Sequence, residues 1–344
     1  MGGKMYHYAR QGFLLKSQVK TSDSYCCRMI VTICLLLFFI ANGALYAGSL
    51  SPIGPSGGLL VTNIMGADSD LIAICPPPGL YLLNYNFYYF ADHFTTRSGK
   101  NVHNGILKDF EADIYGEIAR LAYVPKRDIR ILGGKWMSDI AFPVINKRIK
   151  TTLFDKSKTG LGDIVFCPVN LFYQWGNFYS LIYLDFIAPT GRYEKYGPVN
   201  IGNNHWTFEP AAYFTYWKEP WEVTGGYHFS FNTKNNDFID PRSGKETSHK
   251  PGEAFYIDYG ISRTVKPELG GLRIGLNGYL WKDISLDEVD GHSVSDTMTE
   301  VFAIGPSVRW TVNAITFCLK GQFEVYAQNR PQGQFLWLKL IYRF

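Results

Sequence analysis

The sequence predicts an all-β protein, a closed antiparallel transmembrane β-barrel of about twelve strands, and three observations predict it. The closing stretch Gln334–Phe344 alternates with period two. It sets Leu336, Leu338, Leu340, Tyr342 and Phe344 on one face against Phe335, Trp337, Lys339, Ile341 and Arg343 on the other. A wholly apolar strand face needs lipid or a second layer to cover it, and in an outer-membrane barrel the opposite face lines the lumen. Aromatic residues make up 16% of the 344-residue chain, with 24 Phe, 23 Tyr and 34 Gly. Aromatic girdles and glycine-bearing strands account for that balance. The connections also alternate between short turns and long polar loops, the rhythm of periplasmic turns and outer loops.

Residues 1–47 read as a signal peptide. Arg28 precedes the apolar run Ile30–Ile40, and small residues lead to Ala47, after which cleavage is expected. The run falls short of the roughly 20 apolar residues of a spanning helix. The full chain holds 34 basic and 30 acidic residues; the leader carries five of the bases and one of the acids, so 29 of each remain. A neutral mature chain gives no case for a nucleic-acid partner. Three cysteines remain in it, Cys75, Cys167 and Cys318, too scattered for a disulfide framework or a zinc ribbon.

Residues 48–78 are irregular, bounded by the breakers Gly54-Pro55-Ser56-Gly57-Gly58 and Pro76-Pro77-Pro78. A short plug and a periplasmic tail are both open readings of this segment. The barrel is expected over residues 79–344, beginning with a strand over Gly79–Phe90. The second strand, Phe110–Val124, alternates Ala112, Ile114 and Ile118 with Glu111, Asp113 and Glu117. The third, Ile129–Phe142, is weakly patterned and leads into a basic loop, Asn146–Lys158. The fourth (Gly162–Trp175) and the apolar fifth (Phe178–Ala188) meet at a tight turn. The sixth, Trp206–Trp217, turns at Lys218-Glu219-Pro220 into the seventh, where Trp221, Val223, Tyr227, Phe229 and Phe231 oppose Glu222, Thr224, His228, Ser230 and Asn232. The eighth, Glu253–Val265, opposes Phe255, Ile257, Tyr259 and Ile261 to Tyr256, Asp258, Ser262 and Thr264. Leu272–Trp281, Glu300–Trp310, Ile315–Tyr326 and Phe335–Phe344 complete the set. The last strand is expected to pair with the first, because an open edge in lipid leaves backbone groups unpaired.

Several glycine- and aromatic-rich stretches carry a resemblance. They are Gly160-Leu161-Gly162-Asp163-Ile164, Ala188-Pro189-Thr190-Gly191-Arg192-Tyr193, Asn200 to Pro210, Gly275-Leu276-Asn277-Gly278-Tyr279, Ala303-Ile304-Gly305-Pro306, and Glu324 with Asn329 to Gly333. Over residues 75–344 the chain resembles the outer-membrane family named for the MetA-pathway of phenol degradation. That resemblance implies a barrel that passes small hydrophobic or aromatic compounds, phenol-type among them, by passive uptake. The loop from Pro241 to Glu253 is longer than the family's turn. A last strand ending in Phe344 also resembles the signal read by the barrel-assembly machinery.

If lipid-facing positions are apolar, Glu209, Glu222, His228, Asp258, Arg273, Arg309, Lys320, Glu324, Lys339 and Arg343 point inward. They either pair across the lumen or hold a ligand's polar group. For a ligand, Tyr256, Tyr279, Trp281, Phe335 and Trp337 offer rings to stack on, and Glu209, His228, Asp258, Glu324 and Arg330 offer sparse polar groups. The alternative is a structural or general-diffusion barrel in which these side chains only fill the lumen. A hydrolase reading has little to rest on: His228 and Ser230 share a face, but there is no GxSxG and no orienting third group. The Asn-rich loops lack calcium-loop spacing. No metal and no cofactor are expected; outer-membrane lipid and a small hydrophobic ligand are the expected partners.

Overall fold

The computed structural model describes residues 65–69, 72–240, 243–266 and 271–344. The expected signal peptide lies outside the described residues. The described chain forms eighteen strands in order: β1 (Gly79–Phe94), β2 (Glu111–Val124), β3 (Arg130–Ile131), β4 (Gly134–Lys150), β5 (Asp155–Leu161), β6 (Ile164–Trp175), β7 (Phe178–Ala188), β8 (Thr207–Lys218), β9 (Trp221–Asn232), β10 (Asn235–Ile239), β11 (Glu246–Lys250), β12 (Ala254–Lys266), β13 (Leu272–Asp283), β14 (Glu288–Val289), β15 (His292–Ser293), β16 (Glu300–Val312), β17 (Ile315–Gln328) and β18 (Pro331–Arg343). Twelve of them make the barrel wall, ordered β1-β2-β4-β6-β7-β8-β9-β12-β13-β16-β17-β18. The ring closes where β18 pairs antiparallel with β1, Tyr81 opposite Arg343 and Phe94 opposite Pro331.

Period two does most of the work. On β9, Trp221, Val223, Tyr227, Phe229 and Phe231 are exposed, while Glu222, Thr224, His228 and Ser230 are buried. On β18, Phe335, Trp337 and Lys339 are buried and Leu336 and Leu338 face outward. Nine of the ten titratable residues expected inside are buried; Arg343, at the end of β18, is partly exposed. Several cross-strand pairs set an aromatic ring on a glycine: Phe87 faces Gly116, Tyr213 faces Gly226 and Tyr259 faces Gly278. A Cβ added at Gly116 or Gly226 would sit 2.2 Å from the facing ring. Glycine weakens a strand on its own, but here the partner's ring fills the space a side chain would take.

Two expectations are corrected. The basic stretch Asn146–Lys158 is not a loop. β4 runs on to Lys150, and Asp155–Leu161 folds back on it as β5, with Lys147 opposite Lys158 and Lys150 opposite Asp155. The alternation continues there with Ile145, Lys147 and Ile149 buried. β2 also faces the opposite way from the rule that lipid-facing positions are apolar. Ala112, Ile114 and Ile118 are buried inside, and Glu111, Asp113 and Glu117 lie on the outer surface. Acids there are matched by Arg148 and Lys150 on the neighbouring strand.

Short turns at 176–177, 219–220 and 313–314 gather at one end. The long connections 95–110, 189–206, 233–253 and 284–299 gather at the other, where β10, β11, β14 and β15 make a small separate sheet. His205 is buried in the 189–206 connection, and its Nε2 has no hydrogen-bond partner among the described residues. Burial pushes its pKa down from 6.5 to about 4, against the pull of the Trp206 carbonyl. A neutral His205 therefore supports the folded loop fully above pH 6.5, and that support is lost as pH falls toward 4. The loss amounts to about 3 kcal/mol at most. Protease protection of residues 189–206 is expected to hold at pH 7 and to weaken steeply near pH 4.5, and a His205→Gln variant should flatten that dependence.

Candidate functional site

Within the segment 48–78, the described residues Met65–Ser69 lie inside the barrel as a plug. Its backbone is held by the wall. Gly66 N donates to Asp258 Oδ1 at 2.7 Å, and Lys320 Nζ donates to the carbonyls of Gly66 and Ala67 at 2.7 and 2.6 Å. Gln322 Nε2 donates to Gly66 O at 3.1 Å and to Asn277 Oδ1 at 2.6 Å. Gly66 has φ +77°, and a Cβ on it would meet the Gln322 amide at 2.4 Å. Glycine is needed here both for the left-handed backbone and for the close approach. Across the lumen, Gly260 has no side chain where Ser69 O comes within 2.2 Å of its would-be Cβ.

Asp68 is the ionic anchor of the plug. Its carboxylate accepts from Lys339 Nζ at 2.9 Å, Tyr85 OH at 3.1 Å and Arg120 at 3.3 Å. Burial alone would raise its pKa, but Lys339 and Arg120 outweigh burial and hold it well below the usual carboxylate range. Arg120 also pairs with Asp139 at 2.9 Å and Asp185 at 3.6 Å. One guanidinium thus ties the plug to β4 and β7.

Beside the plug lies a small cavity. Ala67 and Asp68 form one side of it. Tyr85, Tyr183, Tyr213 and Tyr256 contribute rings, and Ile118, Ala141, Pro143, Val165 and Ile187 make an apolar wall. Polar groups are few: Arg120, Asp185, Glu209, His228 and Asp258. Three of the predicted ligand residues therefore meet here with Tyr256. His228 Nδ1 bonds Glu209 at 2.8 Å, its Nε2 bonds Tyr213 OH at 2.7 Å, and its ring stacks on Tyr256 at 3.9 Å. Tyr256 OH donates to Glu209, and Tyr213 OH donates to Asp258 at 3.2 Å. A hydrogen-bonded chain therefore runs from Glu209 through His228, Tyr213 and Asp258 to the plug at Gly66. Glu209 Oε2 and Asp185 Oδ1 are buried without a hydrogen-bond partner among the described residues.

The remaining predicted residues form a second group nearer the long loops. Glu324 accepts from Tyr89 OH at 3.0 Å, Tyr279 OH at 2.7 Å and Gly333 N, and Arg330 stands 3.9 Å away. Trp337 donates to Gln322 at 2.9 Å and stacks on Phe335 at 5.4 Å. Trp281 stacks on Tyr256 at 5.3 Å and so joins the two groups. At the short-turn end, Glu222 holds Arg309 in a two-pronged pair and lies 3.5 Å from Arg273. These three are wall-to-wall ion pairs, away from the cavity. Sequence reasoning missed Asp68, Arg120, Asp185 and Tyr213. Tyr213 could have been found, because it shares a face of β8 with Glu209; the others depend on contacts with the plug.

The model of the family named for the MetA-pathway of phenol degradation matches residues 91–340. The crystal structure of the COG4313 outer membrane channel from Pseudomonas putida F1 superposes with a TM-score of 0.65 at 18% identity, covering 81% of this chain and 100% of that one. The β domain of the Bordetella autotransporter BrkA gives 0.49 at 10% identity, over 78% of this chain and 100% of that one. No curated protein sequence matches the chain. The fold is that of a bacterial outer-membrane barrel. With the match spanning most of the barrel, the chain belongs to the MetA-pathway of phenol degradation family.

Proposed function

We propose that the protein passes small hydroxylated aromatic compounds across the outer membrane by passive diffusion through the cavity beside the plug. One observation carries this reading: two buried carboxylate oxygens, Glu209 Oε2 and Asp185 Oδ1, lack a partner among the described residues in a cavity walled by tyrosine rings and aliphatic side chains. A buried acceptor without a donor is costly. A phenol-type hydroxyl supplies the donor, and Tyr183, Tyr213 and Tyr256 supply faces for its ring. Trp281, Tyr279, Trp337, Glu324 and Arg330 form the approach from the long-loop side. With the plug in place, the apolar wall at Pro143, Val165 and Ile187 marks a lateral way out toward lipid; displacement of the plug gives an axial one.

Liposome uptake of a labelled phenol is expected to exceed that of a sugar and an amino acid of similar size. Glu209→Gln should reduce the phenol rate about tenfold, the worth of one hydrogen bond of about 1.4 kcal/mol. Tyr256→Ala should reduce it further while leaving the sugar rate unchanged. Equal permeation of all three solutes would sink the selective reading and leave a general pore; no permeation of any would leave a structural barrel.

A further inference from the structure

One sector of the barrel has its faces reversed. On β1, β2 and β4 the inward side is apolar, with Phe87, Ile114, Ile118 and Ile145 buried. The outward side carries a polar patch beside exposed Leu80, Leu121, Tyr123 and Phe142. Asn84 Nδ2 donates to Glu117 at 2.8 Å, Tyr115 OH to Asn86 at 3.1 Å, Tyr88 OH to Asp113 at 2.7 Å, and Arg148 to Asp113 at 2.9 Å. Asn84, Asn86 and Glu117 of this patch lie level with the outward leucines of β18, and Asp113 and Arg148 lie nearer the long loops. Pairing places Asn84 beside Leu340 and Asn86 beside Leu338, within the apolar belt that β18 presents to lipid. Amides and carboxylates at that depth are unfavourable against hydrocarbon. They call for a polar cover.

We propose that the outer face of β1, β2 and β4 is a homodimer interface, covered by the same face of a second copy of this chain. The charge layout favours a second copy. Acids lie on β2, at Glu111, Asp113 and Glu117, and bases lie on the adjacent β4, at Arg148 and Lys150. A two-fold axis along the membrane normal, running between β2 and β4, brings each acidic strand opposite the partner's basic strand at the same depth. It also keeps both copies in the same membrane orientation, as a closed isologous interface requires. Lipid phosphate is a poor occupant, because the acids outnumber the bases.

The interface is tested on the full chain in outer membranes and in lipid nanodiscs. Tyr115 lies next to the proposed axis and is exposed. Tyr115→Cys, on a Cys75→Ser background, is expected to give a self-cross-linked dimer with a short bismaleimide. Phe229→Cys, on a wall away from this sector, should give none. Cys167 and Cys318 are buried, so they do not compete. Asp113→Arg and Arg148→Asp should each lose the dimer, and co-expression of the two should restore it as a mixed pair. If either charge variant fails to fold, as judged by heat-modifiable mobility, the lipid-compatible pair Asn86→Leu with Glu117→Leu must abolish the dimer in its place. A monomer mass for the unaltered protein in nanodiscs overturns the proposal. So does a Tyr115→Cys adduct formed only with another protein, or a dimer unchanged in every variant.

Discussion

Replacing Asp68 with Asn is expected to raise the open probability of the barrel about a hundredfold, read as single-channel current in planar bilayers. Asp68 is the only carboxylate in the described part of the plug, and Lys339, Arg120 and Tyr85 all donate to it. A neutral amide removes the charge that Lys339 and Arg120 hold in the plug, and hydrogen bonds to a charged group are worth about 1.5–3 kcal/mol each. A loss of about 3 kcal/mol is roughly two decades in the ratio of released to seated plug. The contacts from Lys320 and Gln322 to the backbone of Gly66 remain, so the barrel itself should keep its thermal midpoint. The same variant separates the two routes. Phenol uptake that rises together with sugar uptake marks an axial path opened by release. Phenol uptake that stays constant while ion current rises marks a lateral path that the plug does not obstruct.

Glu222→Leu is expected to lower barrel stability by about 3–5 kcal/mol, the usual cost of removing one member of a buried ion pair. Glu222 sits between Arg309 and Arg273 with side chains 2%, 6% and 4% exposed. Its loss takes from Arg309 its two-pronged carboxylate partner in the wall. Arg273 retains Glu219 at 3.2 Å and the Pro220 carbonyl at 3.1 Å, so the damage should concentrate on β9 and β16. The urea midpoint for loss of heat-modifiable mobility checks it. Adding Arg309→Met to the same chain should recover part of the loss, because the double variant removes both charges together.

Much of the wall was legible because lipid imposes a one-sided test on each strand. Trp221 to Phe231 on β9 and Phe255 to Ile261 on β12 pass it at every apolar position, so Glu222, His228 and Asp258 could be placed inside by alternation alone. The test fails on β2 and β4. There the apolar set Ala112, Ile114 and Ile118 faces the lumen, and Glu111 and Asp113 find their partners on the outer face of a neighbouring strand. That pairing is a tertiary fact, invisible to a period-two reading of one segment. The site was legible in half. Glu209, His228, Tyr256 and Asp258 come together because they occupy adjacent strands at similar depth. Met65–Ser69 has no periodicity, and its anchors lie far along the chain, from Tyr85 to Lys339. Nothing local distinguishes a plug from a tail, and Arg120 and Asp185 acquire their roles only once Asp68 is in place.

The tether of the plug has a kinetic consequence. Nine residues separate Ser69 from Gly79, where β1 begins, and the last three of them are prolines. A latch on so short a leash never leaves the neighbourhood of its socket. Its local concentration at Lys339 and Arg120 is on the order of millimolar or above, whatever the amount of protein in the membrane. Re-seating is therefore unimolecular and fast, so a free peptide of the same sequence would compete poorly with it. Openings that depend on release should appear as brief flickers whose closing rate is independent of protein density, and a longer leash of flexible residues before Pro76 would stretch each one.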